Sequence, residues 1–78
     1  MQPMELHASI YEDDDGAFWA DVRELLGCFA SEATMAELTE ALIEAVGLYL
    51  EAGSAEVRVS GRAARVRARV EEMTLVTV

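Results

Sequence analysis

The chain has 78 residues, which suits a single domain (1–78) and leaves little room for a second. Hydrophobic residues make up 53% of it, enough for a core, but no apolar run approaches the roughly 20 residues that span a bilayer. The net charge of −9, with no lysine at all, repels nucleic acid and favours basic partners.

The charge is unevenly placed. Residues 1–57 carry 13 acids and one base, Arg23, whereas residues 58–78 carry five arginines (Arg58, Arg62, Arg65, Arg67, Arg69) and two acids. The single cysteine, Cys28, cannot form an internal disulfide, and no metal-type spacing surrounds it. A cytoplasmic, reducing setting is expected, with no signal-type leader, no membrane and no cofactor.

In chain order, Met4 to Tyr11 alternates, with Met4, Leu6, Ala8 and Ile10 on one face and Glu5, His7, Ser9 and Tyr11 on the other, the period of a half-buried strand. Glu12-Asp13-Asp14-Asp15-Gly16 follows, and the Asp15-Gly16 pair suits a tight hairpin turn. Ala17 to Val22 is the return strand, with Phe18, Ala20 and Val22 on one face and Trp19 and Asp21 on the other. Arg23 to Gly27 connects, with the bend at Gly27, and Cys28 to Ser31 forms a short third strand.

The stretch from Thr34 to Gly53 reads as one helix. Thr34 and Glu37 form a capping box, in which Glu37 would reach back to the Thr34 N–H, and Gly53 suits the left-handed residue that ends a helix. Met35, Leu38, Leu42, Ala45, Val46 and Tyr49 fall on one side, and Glu37, Glu40, Glu44, Glu51 and Gly47 on the polar side. Ile43 and Leu50 widen the apolar stripe beyond what one small sheet needs.

Beyond Gly53, Ala55 to Val59 looks extended. Arg62 to Met73 fits both a helical and an alternating template; extended or irregular structure through Arg69 is favoured, with a strand from about Glu72 to Val78, rich in β-branched residues. The order predicts an α+β fold: a three-stranded antiparallel meander, one crossover helix, and a C-terminal strand returning beside the first and parallel to it. The helix covers one face of this sheet. His7, Tyr11, Trp19 and Phe29 occupy the other, and exposed rings there point to an interface.

Tyr11 through Glu51 resembles the HicB antitoxin family in its short form. The likeness rests on Asp13-Asp14-Asp15-Gly16, Phe18, Ala20, Leu25, Gly27, Cys28, Thr34, Glu37, Leu38, Ala41, Ala45, Tyr49 and Leu50. The chain departs from the pattern at Arg23 and Leu26, where the family has prolines, and at Glu32-Ala33, where it has Gly-Asp. The resemblance implies a partial ribonuclease-H-like fold without its chemistry, and pairing with a HicA-type toxin, a small basic mRNA interferase. The residues after Gly53 are too few for an appended helix-turn-helix, so direct DNA binding is not expected.

The expected function is therefore a non-catalytic antitoxin module, with Tyr11, Asp13, Asp14, Trp19, Phe29 and Glu32 as candidate partner contacts. The alternative is an orphan homo-oligomeric domain, self-associating through Ile43, Leu50 and a Met73–Val78 strand at a sheet edge. Catalytic and metal sites find little support. An EF-hand loop with Gly16 sixth would start at Tyr11 and end at Val22, neither of them a carboxylate. Alternation sends His7 and Cys28 to opposite faces, against a nucleophile–base pair. A ribonuclease-H-related hydrolase would need carboxylates gathered around a metal. The arginines between 58 and 69 could contact phosphate, or complement an acidic surface of this domain or a neighbouring subunit.

Overall fold

A computed structural model describes residues 4–51, 57–64 and 70–77. Five strands and one helix follow in the order β1 (Glu5–Glu12), β2 (Phe18–Val22), β3 (Phe29–Glu32), α1 (Met35–Tyr49), β4 (Val57–Ala64) and β5 (Val70–Thr77). The strands form one sheet in the order β3-β2-β1-β5-β4, and every neighbouring pair is antiparallel.

This corrects the expected architecture. The fold is α+β, but it is a five-stranded antiparallel sheet, not a three-stranded meander closed by a parallel strand, and not a partial ribonuclease-H-like topology. The difference arises after the helix. α1 delivers the chain to β4, which runs in the same direction as β1, but at the far edge of the sheet. β5 then doubles back between them and so lies antiparallel to β1.

Side-chain polarity explains which of the two takes the inside place. β5 offers Met73, Leu75 and Thr77, all buried, whereas β4 carries Arg58, Ser60, Gly61 and Arg62 and suits an edge. The buried Thr77 hydroxyl accepts from the Met4 N–H at 2.9 Å, so it is not left unpaired. The Met73–Val78 strand proposed for self-association is thus interior to the sheet; Val78 itself, with Arg65, Arg67 and Arg69, lies outside the described residues.

α1 packs against β2, β3 and β4. Leu38, Leu42 and Val46 are fully buried beneath it, against Leu6, Ala8, Ile10, Ala20, Met73 and Leu75. A sheet five strands wide needs a broad apolar stripe. Ile43 and Leu50 therefore pack on the core instead of forming a spare flank, while Tyr49 is half exposed and Gly47 is buried. At the N-terminus, Thr34 Oγ1 accepts from the Glu37 N–H at 3.2 Å. The Glu37 carboxylate accepts from the Thr34 hydroxyl at 2.9 Å, not from its N–H as the capping box required. At the C-terminus the left-handed position is Glu51 (φ 57°), and Gly53 lies outside the described residues.

The turns follow their residues. Gly16 (φ 88°) lets the Asp13 N–H reach the Ala17 carbonyl at 2.7 Å, and Asp15 Oδ1 accepts from the Ala17 N–H at 3.2 Å. Gly27 (φ 84°) turns the connector so that the Cys28 N–H donates to the Leu25 carbonyl at 3.0 Å.

Candidate functional site

Two-residue alternation in the strands fixes what the uncovered sheet face displays. Tyr11 and Trp19 are cross-strand partners, and their rings stack with centroids 4.2 Å apart and planes 17° off parallel. Phe29 stands opposite Asp21 on the next strand, on the same face, and is 69% exposed; Trp19 is 39% exposed. No described helix or strand lies over these rings.

The six residues expected to contact a partner do not form one patch. Tyr11, Trp19 and Phe29 share the open face. Asp13 and Asp14 sit in the β1–β2 turn, exposed to solvent. Glu32 pairs with Phe18 and therefore lies on the helix side, where it borders an open groove between β3 and α1.

A polar cluster shares the open face and was not foreseen. The Glu24 carboxylate accepts from the His7 backbone N–H at 2.8 Å and meets His7 Nδ1 at 2.5 Å, with Glu5 3.5 Å from Nε2. The hydrogen bond to Glu24 holds the His7 imidazole above its ordinary pKa. Partial burial acts to raise Glu24, yet its bonds to His7 outweigh this and leave the carboxyl below its ordinary value. Beside it, Arg23 Nη2 donates to Glu72 Oε2 at 2.6 Å. On the other side of the sheet Arg62 pairs with Glu71. Glu24 escaped sequence reasoning because a connector has no periodicity to place it. Leu48, 72% exposed and lining the same groove as Glu32, did leave a signal: it is an apolar residue off the apolar stripe of its helix.

Cys28 is buried in the core, which pushes its thiol pKa up, and it lies on the opposite side of the sheet from His7. The two are not placed to act on one substrate. Among the described residues no group of three or more histidine, cysteine or carboxylate side chains could hold a metal ion, and no helix is long and apolar enough to cross a membrane. The open face of the sheet thus carries aromatic rings beside a cluster of carboxylates.

Comparison with family models, curated proteins and solved structures returns no match.

Proposed function

We propose that the chain is a non-catalytic, antitoxin-like module that binds and neutralises a small basic ribonuclease of the HicA type. The observation that carries this reading is the ring-bearing open face, with Trp19 and Phe29 exposed beside the Tyr11 stack. Aromatic side chains of this kind bury large areas at little entropic cost and serve as anchors in protein interfaces. The charge of −9 would speed encounter with a basic partner and discourage nucleic acid. The resemblance over Tyr11 through Glu51 supports the choice of partner. It covers the rings, the acidic turn and the helix, and stops short of the β4–β5 pair where the fold departs from expectation. A buried, unpaired Cys28 is compatible with a cytoplasmic setting.

The test is co-expression and purification with a HicA-type toxin, followed by an RNA-cleavage assay. An equimolar complex and loss of cleavage support the reading. A toxin that keeps full activity in excess of this chain overturns it.

A further inference from the structure

The two edges of the sheet are built differently. On β4 the register shifts between Val59 and Gly61, and Arg58 and Arg62 stand on the strand; both features deter a further strand from pairing. β3 has neither a register shift nor a base. The Val22 N–H donates to the Cys28 carbonyl at 3.0 Å. Bonded pairs recur at every second residue of an antiparallel ladder, so Ala30 and Glu32 also turn their backbone groups toward β2. The backbone groups of Phe29 and Ser31 turn outward.

Below this edge, on the helix side, lies an open groove of about 290 Å³. Ala30, Ala41, Ala45 and Leu48 give it an apolar floor, and among the described residues that line it Glu32 and Glu44 are the charged ones. The last turn of α1 carries no basic residue, so the negative end of the helix dipole adds to the same field.

We propose that the outer edge of β3 and its groove bind an extended, arginine- or lysine-rich segment of a partner protein, added to the sheet as a sixth strand. The proposal rests on the reading of the chain as a binder of a basic protein, and gives that reading a site. Phe29 and Ser31 supply main-chain hydrogen bonds. Alternate side chains of the added strand then meet two different surfaces. Those on the groove side lay long aliphatic stems over the alanines and bring their cationic heads to Glu32 and Glu44. Those on the other side are apolar and pack against Phe29. A second copy of this chain fits poorly, because a symmetric pairing of β3 with β3 would set two acidic grooves side by side.

The full chain is titrated with the capped peptide Arg-Val-Arg-Val-Arg-Val and with Arg-Arg-Arg-Val-Val-Val, which has the same charge without the alternation. Amide hydrogen exchange follows the complex. The alternating peptide is expected to bind about tenfold tighter than the block peptide and to slow exchange at Phe29 and Ser31. Ser31→Pro and Glu44→Lys are each expected to weaken it about tenfold. Ser31→Pro removes only an outward N–H, and Glu44→Lys, at an exposed helix position, reads the same site if the proline disturbs the strand. Equal affinity for the two peptides, or protection that spares Phe29 and Ser31, overturns the edge site. Toxin neutralisation keeps the two conclusions apart. Variants that lose the peptide yet neutralise fully remove the edge from the toxin interface, and an edge that takes the peptide in a chain that neutralises nothing removes the antitoxin reading.

Discussion

Successive residues of β1 meet opposite fates. Leu6, Ala8 and Ile10 are sealed beneath α1, while Glu5, His7 and Tyr11, one step along the same backbone, face water and each other's neighbours. The covered face demands volume and fit, because a void there loses contacts that nothing replaces. The open face makes no such demand, yet it carries the partly exposed rings of Trp19 and Phe29. Residues that a fold can spare are where a binding surface can be read.

The sharpest way to break this contrast is to truncate the covered face. Leu42→Ala should cost about 2–5 kcal/mol in denaturant unfolding, since Leu42 is fully buried against the sheet. Thr34→Ala, which removes the helix cap but leaves both faces alone, should cost about 1 kcal/mol by the same measurement. On the open face, Trp19→Ala forfeits the stack with Tyr11, worth about 0.5–1.5 kcal/mol beyond the area the ring buries, and should cost less than Leu42→Ala, with an unchanged far-ultraviolet circular dichroism spectrum. A loss for Trp19 as large as that for Leu42 would erase the distinction between the faces.

The smallest effect is a pH dependence carried by the open face. His7 has its folded pKa raised above 6.5, so the stability it draws from Glu24 is fully present below that value and fades as pH rises through the folded pKa. Glu24 is lowered below 4.5, so its share is present above that value and is lost as pH falls through the folded pKa. The pair contributes most between about pH 4.5 and 6.5. Thermal melts should show the wild-type advantage over His7→Gln shrinking as pH rises from about 6 to about 8.

Much of this was legible in the residues. The period of two in Met4 to Tyr11 and in Ala17 to Val22, the Asp15-Gly16 turn and the Thr34 cap each have a local cause, and local causes can be read without tertiary knowledge. The β4–β5 pair was not legible in the same way. Arg62 to Met73 satisfies two periods at once, and only the competition for a place beside β1 decides that its described part from Val70 onward becomes an inner strand. That one undecided stretch reversed the last strand, moved it from the edge to the interior, and gave Ile43 and Leu50 a core to cover. Of the candidate site, the three rings were placed correctly on one face because alternation alone positions them. Glu32 went to the other face because β3 ends one residue later than Ser31, and parity then puts Glu32 beside the helix.

The most direct test of the account is calorimetric titration of a HicA-type toxin with the chain and with its Trp19→Ala/Phe29→Ala variant, circular dichroism confirming that both are folded. The account predicts a tight equimolar complex for the wild type and binding weakened about a hundredfold or more for the variant. Equal affinity from a folded variant that has lost both rings would contradict it.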